Sequence, residues 1–162
     1  MNLFIDIDGV LLNLDKAFSD FTTNNMKSIF GISELDYISN LQWAKMWDLF
    51  LNSDQIESLD PLINANIVNE LSQKGRMVFL TGFPSKYKLS RVKNINKLGF
   101  LYNEIIFSDI AINNCKKEAI KQVVHRNDKF IFVDDNAENC KMIEEYFPNS
   151  YVLLAENKHV NQ

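Results

Sequence analysis

Five short, almost continuously apolar runs, at residues 3–7, 77–81, 104–108, 129–134 and 151–154, constrain this chain more than any other feature. A strand with one wet face alternates apolar and polar residues, whereas a strand covered on both faces does not. The segments between the runs carry helical spacing instead: Ile67, Val68 and Leu71; Leu89, Val92 and Ile95; Ile120, Val123 and Val124; Cys140, Ile143 and Phe147. Strand and helix in alternation predict an α/β fold, a doubly wound parallel sheet with helices on both faces. Gly75 and Gly99 stand just past two of these helices as C-terminal stops, and Ser85 and Asn136 are placed to cap two N-termini.

One connection is too long for this scheme. About seventy residues separate the first run from the second, where a crossover needs about a dozen. Residues 14–60 are helical in pattern, with one apolar stripe at Leu14, Ala17, Phe18 and Phe21 and another at Trp43, Met46, Trp47 and Phe50. They are expected to form a small helical cap inserted after the first strand, with its stripes packed together and its lower edge over the strand ends. Residues 1–13 and 61–162 are then the sheet-bearing core, which at this length needs no disulfide or structural metal.

Composition removes several classes of function. The 17 Lys and Arg against 21 Asp and Glu leave a net charge of -4, which argues against a nucleic-acid polymer as partner. Cys115 and Cys140, without a second pair or a His cluster, read as reduced thiols. No apolar run reaches the eighteen or so residues of a membrane span, and Met1-Asn2 leads straight into a strand, so a cytoplasmic protein is expected.

Ligands of open parallel sheets bind outside the carboxyl ends of the strands, and here those ends are acidic. The first run continues Asp6-Ile7-Asp8-Gly9, where the period of two puts Asp6 and Asp8 on one side, about 7 Å apart along the backbone. The fourth ends in Asp134-Asp135. Four carboxylates on one rim raise one another's pKa unless a cation neutralises them, and oxygen-only ligands suit Mg²⁺ better than zinc. The second run ends in Thr81-Gly82, a hydroxyl and an amide fit for phosphoryl oxygens, and Lys116-Lys117 precede a helix from which one lysine can reach the acids.

Asp6-Ile7-Asp8-Gly9-Val10, Thr81-Gly82, Lys116 or Lys117, and Val133-Asp134-Asp135, in this order, resemble the four motifs of the haloacid dehalogenase superfamily over nearly the whole chain. The resemblance implies a Rossmann-like core of strand order 3-2-1-4-5, a type-one cap, and Mg²⁺-dependent phosphatase chemistry through an aspartyl-phosphate intermediate. It assigns Asp6 as nucleophile and Asp8 as the acid/base, whose pKa its acidic neighbours are expected to raise. Thr81, the Gly82 amide and a lysine would hold phosphate, with the spacing to Ile120 favouring Lys116 over Lys117. Asp6, Asp135, Asp134 directly or through water, and the Asp8 carbonyl would hold the metal. Members that cleave carbon–halogen bonds lack an acid at the position of Asp8, so dehalogenation is disfavoured. A phosphomutase and a silent binding or regulatory protein are the alternatives. A phospho-accepting receiver module is disfavoured by the order of the motifs.

The substrate expected is a small organic phosphate monoester. Asp8-Gly9-Val10-Leu11, the segment 43–47 and Leu80-Thr81-Gly82-Phe83-Pro84 are loosely similar to the cytosolic deoxyribonucleotidase-like branch, from which the longer helix at 116–126 departs. Trp43, Trp47, Phe83 and Tyr87 read chiefly as packing residues, and Lys86 and Arg91 as solvated helix charges. His125 and His159 lie away from every motif.

Overall fold

The structure, a computed structural model, describes residues 1–156, which leaves His159 outside the described residues. Strands β1 (Asn2–Ile5), β2 (Arg76–Thr81), β3 (Glu104–Phe107), β4 (Phe130–Asp134) and β5 (Tyr151–Leu154) form one parallel sheet in the order β3-β2-β1-β4-β5. The fold class and strand order are those expected. In register, Leu3 lies beside Met77 on one side and Ile131 on the other.

The continuous apolar runs have a direct cause. Leu3, Ile5, Met77 and Phe79 face one core, while Phe4, Val78, Leu80, Phe130 and Phe132 face a second one across the sheet. In β1, β2 and β4 both faces are covered, so both sets must be apolar, and each fully buried large side chain contributes about 1.5–3 kcal/mol. The run at 151–154 departs from this, since edge strand β5 leaves Tyr151, Leu153 and Leu154 exposed. The second face is covered by α5 (Lys116–Lys121) and α6 (Ala137–Tyr146), the first by α3 (Ala65–Ser72), α4 (Lys88–Lys97) and the long insertion.

The insertion contains α1 (Leu14–Phe30) and α2 (Asn40–Leu51), followed by a short 3-10 turn at Asp54–Glu57. Asn13 caps α1, Gly31 ends it in the left-handed conformation at φ 71°, and Ser39 with Gln42 closes a capping box on α2. The two predicted stripes meet: the Phe18 ring lies 4.9 Å from Trp47 and 5.5 Å from Phe50, and Phe21 lies 5.4 Å from Phe50. The chain leaving the insertion is clasped by α4, where buried Asn94 accepts from Leu59 N at 2.9 Å and donates to Leu59 O at 3.2 Å.

Local expectations fail at five residues. Ser85 caps no α-helix; its N–H and hydroxyl both donate to Asp109, and it opens a 3-10 turn ahead of α4. Gly75 is no left-handed stop but lies where a Cβ would run into the Met1 carbonyl. Leu89 is 79% and Ile67 53% exposed, and α4 turns Arg91, Asn94 and Ile95 inward instead of an apolar stripe through Leu89. Arg91 is therefore no solvated charge. Asn136 does cap α6, accepting from the N–H groups of Glu138 and Asn139. Among the described residues no helix is long and apolar enough to cross a membrane.

Candidate active site

The parallel pairing of β1 with β4 creates the site. Ile5 lies beside Val133, and the Asp6 N–H donates to Val133 O at 2.9 Å, so Asp6 leaves the sheet next to Asp134. The chain then folds tightly, with Leu11 N and Leu12 N both donating to Ile7 O. Gly9 adopts φ 84° in this turn, and a Cβ there would collide with the Asp135 carboxylate. Glycine is thus required twice over, by conformation and by space.

Carboxylate oxygens of Asp6, Asp134 and Asp135 all lie within 4.8 Å of one another. Lys116 Nζ bridges two of them, 2.8 Å from Asp6 Oδ1 and 2.7 Å from Asp134 Oδ2. Asp134 also accepts from Asn136 N at 2.8 Å and Asn139 Nδ2 at 3.2 Å. Lys117 pairs instead with Glu118 at 3.6 Å and stands over the Tyr146 ring, so Lys116 is the lysine at the acids. The loop before Lys116 carries two left-handed asparagines, Asn113 (φ 58°) and Asn114 (φ 50°), the second accepting from the buried Ser108 hydroxyl at 2.6 Å.

Asp8 has different company. Its Oδ2 accepts from the Thr81 hydroxyl at 3.4 Å, and its Oδ1 accepts from the Arg91 guanidinium. The buried Thr81 oxygen in turn accepts from Phe83 N at 3.0 Å. Arg91 was invisible to a reading that scored apolar periodicity alone. The available signal was its position three residues before Asn94 and four before Ile95, on the face those residues bury.

Were all four acids ionised, the two buried cations would leave two negative charges uncompensated. Oxygen donors in that excess suit one hard divalent cation. Burial pushes the Asp6 carboxyl well above the ordinary range, Asp134 adds to this and Lys116 opposes it. Burial also raises Asp8, with Arg91 pulling it back, so desolvation and not its acidic neighbours is the principal cause. Asp135 is raised by burial and then by Asp134. Burial disfavours the Lys116 charge, yet Asp6 and Asp134 more than offset this and its pKa rises.

These groups open into a cleft of about 290 Å³ that Asp6, Asp8, Lys116, Asp135, Gly82 and Trp47 help to line. Trp47, from α2, reaches the cleft and lies 6.3 Å from the Phe83 ring; Trp43 packs on Phe18 at 5.6 Å and is not part of the lining. Tyr87 packs on Phe83 at 6.0 Å, exposed Lys86 stands over the Tyr87 ring, and His125 sits in a turn with Asp128.

No family model and no curated protein matches the chain. Solved structures do. A phosphatase from Thermococcus thioreducens is similar over 100% of this chain and 95% of its own, at 10% identity and a TM-score of 0.63. A haloacid dehalogenase-like hydrolase from Streptococcus pneumoniae is similar over 90% and 80%, at 18% identity and a TM-score of 0.61. The fold is that of the haloacid dehalogenase superfamily. An L-2-haloacid dehalogenase from Xanthobacter autotrophicus shares this haloacid dehalogenase fold over 95% of this chain and 76% of its own, at 10% identity and a TM-score of 0.61. At such identities the likeness is one of fold, and the chemistry has to be read from the site.

Proposed function

We propose that this protein is a Mg²⁺-dependent phosphatase that hydrolyses a small organic phosphate monoester through an aspartyl-phosphate. The observation that carries this reading is the pairing of Asp6 and Asp8 in one cleft with separate partners, Asp6 against Lys116 and Asp8 against Thr81 and Arg91. Two carboxylates in unlike settings can take unlike roles.

An Asp6 oxygen attacks phosphorus and the bond from phosphorus to the ester oxygen breaks, while Asp8 delivers its proton to that departing oxygen. The carboxylate left on Asp8 then takes a proton from water. The water oxygen attacks phosphorus, the bond to Asp6 breaks, and inorganic phosphate leaves. Lys116 keeps Asp6 in place and offsets charge on the phosphoryl oxygens, to which the Gly82 N–H also donates. Asp6, Asp135, Asp134 and the Asp8 carbonyl would hold Mg²⁺, which when bound withdraws charge from the phosphoryl group. A dehalogenase has no alcohol to protonate, so Asp8 favours phosphoryl transfer. Trp47 at the mouth gives a ring or base a surface to stack on, in keeping with a nucleotide or sugar phosphate.

The test is release of phosphate from p-nitrophenyl phosphate with Mg²⁺ and with EDTA, by the intact protein and by Asp6→Asn. Turnover that needs Mg²⁺ and disappears in Asp6→Asn supports the reading. Turnover in Asp6→Asn at the rate of the intact protein overturns it.

A further inference from the structure

We propose that Arg91 is the positioning residue for Asp8, a buried guanidinium that fixes the carboxylate in place for proton transfer to the leaving oxygen. This rests on the reading of Asp8 as the acid/base. Arg91 is fully shut off from water and heads the fully buried side chains in size. One nitrogen donates to Asp8, whereas Nε and Nη1, equally buried, have no hydrogen-bond partner among the described residues. Its guanidinium carbon lies 3.8 Å from the centre of the Phe83 ring.

Stability alone does not account for such a residue. A guanidinium taken out of water with two donors unmet is costly, and Leu or Met beside Ile95, together with an uncharged residue in place of Asp8, would fill the same space without that cost. What Arg91 does achieve is geometric. It holds one Asp8 oxygen while Thr81 holds the other, and Phe83 both stacks on the guanidinium and donates its N–H to Thr81. The bracket is rigid because α4 is anchored one turn on by the two hydrogen bonds between Asn94 and Leu59. Arg91 is not part of the cleft lining, so it acts through Asp8 and not on substrate.

The test compares Arg91→Met and Arg91→Lys with the intact protein, each also in an Asp8→Asn background, on p-nitrophenyl phosphate with Mg²⁺. Arg91→Met is expected to lower kcat by about 10- to 100-fold with KM changed less than about threefold, the mark of a lost alignment. Arg91→Lys, which keeps the charge without the planar fork, should fall between. On Asp8→Asn, Arg91→Met should change kcat by less than about twofold, because its effect passes through the missing carboxylate. A kcat for folded Arg91→Met within about twofold of the intact protein, or an undiminished loss on Asp8→Asn, overturns the proposal. Should Arg91→Met not fold, Arg91→Lys and the double variant, which leaves no unpaired charge, carry the same comparison. Crystal structures of the Arg91 variants give an answer that needs no turnover: Asp8 should leave its place beside Thr81, and an unmoved carboxylate overturns the proposal. If the intact protein hydrolyses no phosphate ester, the phosphatase reading falls and these structures alone decide the positioning role.

Discussion

Lys116 Nζ lies 2.7 Å from Asp134 Oδ2, with 8% of the lysine side chain and none of the aspartate exposed to water. Such a pair is costly to bury, but it is costlier to break, because removal of one partner leaves the other charge in the interior. Here the orphan would be double, since Asp6 shares the same lysine. Lys116→Met should therefore lower the metal-free unfolding free energy at pH 7 by about 3–5 kcal/mol. The partly exposed Lys117→Ala should change it by less than about 0.5 kcal/mol. Urea denaturation distinguishes them, and equal losses would mean that the wrong lysine had been placed at the acids.

The raised carboxyls give the metal-free protein a pH signature. Asp6, Asp8 and Asp135 hold protons more tightly folded than unfolded, so their contribution is complete below about pH 4 and is lost as pH rises through their folded values. Lys116 is raised too, and its contribution persists until the solution is more alkaline than its ordinary range. Asp6→Asn cannot ionise, and Asp134 still pairs with Lys116 in its absence. Relative to the intact protein in EDTA, Asp6→Asn should thus gain stability from pH 4 to pH 8, because only the intact protein has to ionise this buried carboxyl. A flat difference across that range would show Asp6 to be unperturbed.

Metal should reverse the sign of this effect. An ion that binds the folded state at a hundred times its Kd adds about 2.7 kcal/mol, or roughly 5–10 °C in Tm for a chain of this size. Asp135→Ala should melt higher than the intact protein without metal, because it removes a carboxyl that burial and Asp134 both disfavour as a charge. It should also lose most of the response to Mg²⁺. Calorimetric scans with and without Mg²⁺ check both halves, and an undiminished response in the variant would remove Asp135 from the ligand set.

Sheet order, insertion and acids were legible because each is written locally. A strand buried on both faces shows in four or five residues, and strand-end acids are carried to one rim by parallel pairing. Rotation of a helix about its axis is not local. Apolar spacing pointed α4 inward through Leu89, yet the pull of Asp8 on Arg91 and of Leu59 on Asn94 turns a polar face into the core. The choice of Lys116 over Lys117 is, by contrast, local: the spacing to Ile120 favours it, because an extended Cys115 hands the chain to α5 at Lys116. Helical and sheet periods do not report pairings made across 35 or 83 residues of sequence, and the site is built from them.

The two tryptophans of α2 should separate specificity from packing. Trp47 borders the cleft and touches the Phe83 ring that carries Arg91, while Trp43 packs on Phe18 and does not line the cleft. Trp47→Leu keeps an apolar side chain against Phe18 and Phe50 but withdraws the flat surface from the mouth. Its kcat/KM for an aryl or nucleoside phosphate should fall about tenfold, while that for acetyl phosphate stays within about twofold, since the minimal substrate has no ring to lay against Trp47. Trp43→Leu should leave the ratio of the two substrates unchanged and lower Tm instead. If Trp47→Leu depresses both substrates equally together with Tm, Trp47 serves only to hold α1 against α2, and substrate selection resides elsewhere around the cleft.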